Sequence, residues 1–422
     1  MRKIYLFPML LSLLSGSMAA QVYIEKQTRH RFAQLNLGAD LQASLGGSTS
    51  FIDRQGETNS MSLASSYKPR FLIGGTHFWG HADFYIAIPL IKSPYKQNNQ
   101  EVSYNSGVET VFKYYPWRIE HGKLRPFVGV SFAPFYYEQK NKHLEYGNGP
   151  ELNHRSFPLL CGITLNHKNH LLETGLMWNY TNKQDYYISR NQAETVHTPP
   201  LYFNLSYRYM LETTLSAEKD WESGRTKAVI QILAEKRKLN GFYLGVGPSA
   251  AFWTGSSSYN TEEWPFVAKY STSIFPDVAL GYYLHNLDVN IAAAYRGYSS
   301  STSPYGVNQE VRRRSLGIEA TKFLFDYQGF APFLGPILSY EQLSFEESFE
   351  TRKNPEISAS LLGYGLTFGW DIRPNRLQSW ILRTNLRWYP NLNLEIIPDM
   401  KISFNNLEFN FIQLIVYPDR MF

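Results

Sequence analysis

Trp380 to Tyr389 alternates with period two. Trp380, Leu382, Leu386 and Trp388 fall on one side, Thr384 being the exception, and Arg383, Asn385 and Arg387 fall on the other. Successive side chains of a strand point to opposite faces, so this stretch predicts a strand with one apolar and one charged face. The apolar stripe carries Trp at both ends, which suits the two interfaces of a bilayer better than a water-facing sandwich. Similar segments recur. Leu201, Phe203, Leu205, Tyr207 and Tyr209 oppose Asn204, Ser206, Arg208 and Glu212, and Leu287, Val289, Ile291, Ala293 and Tyr295 oppose Asp288, Asn290 and Arg296.

Composition agrees. Of 422 residues only 18% are charged while 16% are aromatic, including 30 Tyr and 27 Phe. Beyond residue 20 no segment approaches the ~18 uninterrupted apolar residues of a membrane helix, so contact with lipid must be made by strands. Arg2-Lys3, the apolar run 4–14 and the small residues 15–20 read as a cleaved secretory signal over residues 1–20. The single Cys161 has no intrachain disulfide partner. The net charge of +5 is scattered, and without a basic run interleaved with aromatics it does not imply nucleic acid.

A hairpin is written twice. Gly107-Val108-Glu109-Thr110, Pro126-Phe127-Val128-Gly129 and Tyr137-Glu138-Gln139 recur as Gly317-Ile318-Glu319-Ala320, Pro332-Phe333-Leu334-Gly335 and Tyr340-Glu341-Gln342. Gly162-Ile163-Thr164-Leu165, Trp178-Asn179-Tyr180 and Phe203-Asn204-Leu205 have counterparts in Gly365-Leu366-Thr367-Phe368, Trp388-Tyr389 and Phe409-Asn410-Phe411. The chain therefore divides into a first eight-strand repeat at 21–212, a linker at 213–240 that is helical or irregular, and a second eight-strand repeat at 241–422.

Candidate strands lie near 35–45, 70–79, 82–91, 106–115, 125–138, 156–166, 170–180 and 199–212, then near 242–253, 274–284, 287–298, 314–325, 331–344, 358–371, 378–389 and 403–417. Long polar loops (46–70, 140–155, 182–198, 255–273, 346–357) alternate with tight turns (79–81, 166–169, 285–286, 373–376), the pattern of an outer-membrane barrel with long outer loops and short periplasmic turns. The last candidate strand places Leu407, Phe409 and Phe411, then Ile415 and Tyr417, on one face before the terminal Phe422.

From signal to aromatic terminus the chain resembles the outer-membrane β-barrel proteins of Gram-negative bacteria, and Lys238 to Gly245 and Leu124 to Gly129 resemble the Bacteroidota versions. That resemblance implies an all-β antiparallel transmembrane barrel with no cofactor, whose partners are outer-membrane lipid and the barrel-assembly machinery. Sixteen strands close once, around an aqueous lumen, or twice, around filled interiors. One barrel is the preferred closure and two tandem eight-stranded barrels the alternative.

Function follows from the polar faces. Glu109, Lys113, Glu173, Arg208 and Glu212, with Asp288, Arg296, Glu319, Arg383, Arg387 and Glu408, point inward. In a wide barrel they line water and select solutes, and in narrow barrels they form a salt-bridged plug. The leading expectation is a passive pore for small hydrophilic solutes. The alternative is a non-conducting structural or adhesion barrel recognising a partner through loops such as 51–68 or 256–269. A weaker alternative is hydrolysis at His154 and Ser156, whose His-x-Ser spacing shares a strand face and resembles the His-x-Ser-Asn of outer-membrane lipid-ester hydrolases, with Phe157 in place of Asn. The chain is therefore read as a non-enzyme. His77, His81, His121, His167 and His170 sit in or beside the short turns and read as polar turn residues rather than a metal site, because no carboxylate or Cys joins them at a ligand spacing.

Overall fold

The computed structural model describes residues 33–421 apart from 92–93, 98–99, 212–223, 268, 271, 273, 328 and 374–378. The expected signal 1–20, Glu212 and Phe422 lie outside the described residues.

The first repeat contributes β1 (Ala33–Ser44), β2 (Ser66–His77), β3 (Ala82–Pro89), β4 (Glu109–Tyr114), β5 (Leu124–Asn141), β6 (Leu159–His167), β7 (His170–Trp178) and β8 (Leu201–Met210). Neighbours pair antiparallel throughout, β5 with β6 included, and β1 returns to β8 with Leu41 opposite Leu205. A helix, α1 (Gly224–Glu235), follows within the 213–240 connection. The second repeat supplies β9 (Gly241–Trp253), β10 (Phe275–Leu284), β11 (Val289–Thr302), β12 (Val307–Phe323), β13 (Phe330–Phe349), β14 (Ile357–Ile372), β15 (Trp380–Tyr389) and β16 (Asn406–Val416). Here β9 pairs with β16, Leu244 opposite Val416 and Trp253 opposite Asn406.

Each repeat thus closes on itself, and the single wide barrel preferred from the sequence gives way to two eight-stranded barrels. The physical reason is that every strand finds its last ladder partner inside its own repeat, leaving no edge for the other to extend.

The side-chain pattern is that of a barrel in lipid. In β8, Leu201, Phe203, Leu205, Tyr207 and Tyr209 are exposed, while Tyr202, Asn204, Ser206, Arg208 and Met210 are buried. Leu316, Ile318, Leu338, Leu362, Tyr364 and Leu366 form the same outward apolar surface on the second barrel. Strand β13 runs for 20 residues, twice the ~9–11 that cross a bilayer, so the β12–β13–β14 wall projects well past the hydrocarbon at the long-loop end.

The duplicated motifs occupy equivalent strands. Glu109 and Glu319 lie on the fourth strand of their barrels and are both buried, and Phe127 and Phe333 lie inward on the fifth. Beyond that the copies part. Tyr137 and Gln139 are buried, whereas their counterparts Tyr340 and Gln342 are exposed and Glu341 is buried. The repeat offset falls by three between these motifs, and an odd shift sends a strand's side chains to the opposite face.

A bulge in β16 explains a second departure. Asn410 pairs with Asn385 but Gln413 with Arg383, so β16 holds one extra residue. Ile415 and Tyr417, on the same odd-numbered series as the outward Phe409 and Phe411, therefore point inside, and Tyr417 packs on Tyr243 with ring centroids 5.4 Å apart. Thr384, the odd polar residue of the outward stripe, stands opposite the bulge and donates its hydroxyl to the Phe411 carbonyl at 2.9 Å.

The barrels pack side by side through surfaces that would otherwise meet lipid. Ile86 of the first barrel is buried with Ala250, Phe252, Phe409 and Phe411 of the second. Phe84 meets Trp370 edge-on at 5.5 Å and Phe132 meets Phe252 at 5.3 Å. At the short-turn end Phe78 reaches Phe330 at 5.4 Å.

Candidate functional site

Two regions concentrate polar groups: the barrel interiors, and the long-loop mouths where the barrels meet.

In the first interior, Arg70 on β2 binds Asp40 on β1 at 2.5 and 2.8 Å and reaches Glu109 on β4, which also accepts from Ser131. Arg208 on β8 grips Asp83 on β3 with two bonds of 2.6 and 2.9 Å and touches Glu173 on β7 at 3.3 Å. Lys113 on β4 completes that group by pairing with Glu173, and its ammonium lies 4.5 Å from the centre of the Phe127 ring. The forked guanidinium is what makes this geometry possible, since one Arg satisfies two oxygens at once.

The second interior repeats the chemistry with a different wiring. Arg387 binds Asp277 and Glu319, each at 2.7 Å. Arg296 also contacts Asp277 and Glu319, and donates to the Tyr389 hydroxyl at 2.8 Å. Arg313 holds Glu341 through two bonds of 2.7 and 2.8 Å and pairs with Glu408. Nearer the short turns, Arg383 clasps Asp371 at 2.7 and 2.9 Å.

Of the residues read from sequence as lining a lumen, Glu109, Lys113, Glu173, Arg208, Arg296, Glu319, Arg383, Arg387 and Glu408 are therefore brought together, all buried and ion-paired. Asp288 is not among them. It caps the 285–287 turn in a left-handed conformation, is exposed, and accepts a bond from the Tyr283 hydroxyl at 2.8 Å. The alternation begins at Val289, two residues after the expected start of the strand at Leu287. Sequence reading missed Asp40, Arg70, Asp83, Asp277, Arg313, Glu341 and Asp371, although each stands at an inward position of the same alternation.

Apolar layers stack on these charges. Above the second barrel's ionic layer, Trp253, Tyr270, Phe275, Val311, Phe345, Leu392, Ile402 and Phe404 form one cluster, and below it lie Tyr243, Phe323, Phe333, Ile381 and Tyr417. A four-stranded sheet of loop strands (Gly47–Ile52, Thr58–Leu63, Lys183–Tyr187 and Ala193–His197) sits over the first mouth, burying Phe51, Met61, Tyr186 and Val196 with Tyr137. Over the second, the hairpin Asn393–Ile397/Met400–Ser403 is tied to the short helix Ser258–Glu263 by Lys401 N–H donating to Ser258.

Between the mouths the tip of the β11–β12 hairpin crosses to the first barrel. Tyr305 donates its N–H to the Asn148 carbonyl and its hydroxyl to the Tyr187 carbonyl, while its own carbonyl receives two bonds from Arg190 at 2.6 and 3.0 Å. Beside it opens a cleft of about 450 Å³ lined by Glu138, Gly149 and Glu151 from the first barrel and by Ser301–Ser303, Glu310, Glu346, Glu347 and Lys353 from the second.

His154 and Ser156 lie on one loop strand, Leu152–Ser156, but are not joined. The His154 Nε2 faces Thr181 and Gln184, both at 3.2 Å, and the Ser156 hydroxyl donates to the Ala133 carbonyl at 3.4 Å. Burial holds the His154 imidazole below its ordinary pKa, which suits a base, yet no bond to the serine makes it one. Three of the turn histidines are engaged locally: His81 Nδ1 lies 2.9 Å from the Tyr115 carbonyl, His121 Nδ1 accepts the Lys168 N–H, and His170 meets the Tyr207 hydroxyl at 2.8 Å. Among the described residues no group of three or more His, Cys, Asp or Glu is placed to hold a metal.

Neither a family model nor a curated protein matches the chain. Among solved structures it is similar to Neisserial surface protein A, at 18% identity over 42% of this chain and 97% of that one with a TM-score of 0.31. It is also similar to Ail, the attachment invasion locus protein of Yersinia pestis, at 10% identity over 42% and 96% with a TM-score of 0.26. The outer-membrane protein OmpT of Vibrio cholerae aligns at 7% identity over 92% and 99% with a TM-score of 0.19. At such low identity and overlap, function has to be argued from this chain's own geometry.

Proposed function

We propose that this protein is a non-conducting tandem barrel of the bacterial outer membrane, exported with cleavage after Ala20, whose joined outer mouths recognise an external partner. The observation that carries the reading is the ionic layer: nine of the residues first read as a water-filled lining are buried and paired across narrow interiors, with apolar side chains packed on that layer. An eight-stranded barrel leaves an interior just wide enough for side chains. The short turns then lie in the periplasm and the loop sheet, the Tyr305 crossing and the polar cleft face outward.

Planar-bilayer recording decides between this and the pore. Folded protein is expected to give no steps, and reproducible ohmic steps would replace the reading with passive solute passage. Recognition is tested by displaying the protein on cells and measuring attachment to immobilised proteins and glycans. Attachment is expected, and charge reversal at the cleft (Glu138→Lys with Glu310→Lys) should reduce it, while attachment to nothing would leave only a structural barrel.

A further inference from the structure

The connection between the barrels holds a surface that neither the interiors nor the outer mouths account for. The chain leaves β8 at Met210, whose N–H donates to the Asn169 carbonyl in the 167–169 turn, and enters β9 at Gly241. Both points are on the short-turn rim, so α1 is held beside that rim. Its end is fixed: Arg237 is left-handed, its N–H bonds the Ala234 carbonyl, and the Lys238 N–H bonds the Leu233 carbonyl at 2.7 Å, which is a Schellman close. Beyond β16, the Arg420 guanidinium then holds the carbonyls of Lys238 and Leu239.

Among the exposed side chains of α1 are two large apolar ones. Leu233 is buried, but Ile230 and Ile232, about 60° and 100° to either side of it at roughly 100° per residue, are 40% and 48% exposed. Immediately beyond the cap, Phe242 of β9 is 60% exposed and stands edge-on to Tyr282, at the start of the outward apolar surface. The sequence from 225 to 238 carries Arg225, Lys227, Lys236, Arg237 and Lys238 against Glu235, and Lys236 and Arg237 are exposed. The exposed isoleucines lie close in sequence to a lipid-facing wall, the exposed Lys236 falls between Ile232 and Leu233 around the helix axis, and Arg237 stands at the cap, a mixture of apolar side chains and cations that suits a helix lying in a membrane interface.

We infer that α1 lies in the inner-leaflet interface of the membrane that the barrels cross, with its isoleucines in the acyl boundary and Lys236 and Arg237, just beyond its end, on anionic phospholipid headgroups. This rests on the chain being a membrane-spanning barrel pair but not on what its outer face binds.

The test uses the full chain with Cys161→Ala and a single cysteine at Ile230, Ile232 or Glu235, labelled with an environment-sensitive fluorophore. Each variant is refolded into phosphatidylethanolamine vesicles with or without phosphatidylglycerol, and retention of heat-modifiable migration shows that the barrels are intact. A lipid-borne spin label is expected to quench the fluorophore at 230 or 232 several-fold more than at 235, and quenching at both no greater than at 235 overturns the placement. Omitting phosphatidylglycerol, or introducing Lys236→Gln, is expected to lower that quenching. If neither changes it, the assignment to an anionic surface falls while the barrel reading stands.

Discussion

Arg383 and Asp371 form the simplest of the interior pairs, and they show what the buried charges do. Replacing Arg383 by Leu leaves the Asp371 carboxylate buried without its partner, which should cost about 3–5 kcal/mol. Adding Asp371→Leu should recover most of that loss, because an apolar pair of similar volume avoids the desolvation of both ions. Urea midpoints of the two variants in micelles, read by heat-modifiable migration, check this, and equal destabilisation by both would mean that the charges themselves hold the interior. At the short-turn rim Glu120 accepts from Lys123, Arg118 and Arg125, and these bonds hold its carboxyl down to about 2 from 4.5. A depressed carboxylate stabilises the fold above its ordinary pKa, and that contribution is lost as pH falls through the folded value. The stability difference between the native chain and Glu120→Gln should thus be full at pH 7, shrink below about 4.5 and vanish near 2. At this scale alternation made the inward residues legible wherever a strand was already under way. Asp288 misled because a left-handed turn residue and an inward strand residue occupy the same place in an alternating string, and the inward turn of Ile415 and Tyr417 was not legible because an inserted bulge residue leaves no mark in composition.

The β11–β12 hairpin tip shows how one element spends conformational energy. Tyr305 sits at φ 46°, a left-handed region that costs a bulky residue about 1–2 kcal/mol. Its hydrogen bonds to Asn148, Tyr187 and Arg190, at about 1 kcal/mol each, offset that. Arg190→Ala removes the two bonds to the Tyr305 carbonyl, and proteolytic nicking at 303–306 is expected to rise several-fold with heat-modifiable migration unchanged. If nicking does not change, the crossing is held by ring packing on Phe266 instead. The sixteen barrel strands were legible because each must show one face to lipid, which forces a clean period of two. The loop strands Gly47–Ile52, Lys183–Tyr187 and Asn393–Ile397 face water on one side and small caps on the other, so no apolar stripe marks them.

For the molecule as a whole, closure was the part that the sequence did not carry. Inward charges of both signs suit one wide lumen or two filled interiors equally, and the pairing of β9 with β16 rather than β8 is a contact between residues more than 150 positions apart. A protease site inserted at 213–223 should release two fragments that each remain heat-modifiable yet migrate together without heating, held by Ile86, Phe252, Phe409 and Phe411. Phe252→Ala with Phe409→Ala should let the cleaved halves separate, since lipid replaces the lost packing on each side. A single unfolded smear on cleavage would contradict independent closure.

The self-contained ladders also bear on the order of assembly. Among the described residues every first-barrel pairing lies within 33–210 and every second-barrel pairing within 241–416, so no described strand of one waits for a strand of the other. Either cylinder can therefore seal without a strand from the other. The aromatic seam then gives the later cylinder a protein wall to condense against, and the linker limits how far away it can insert.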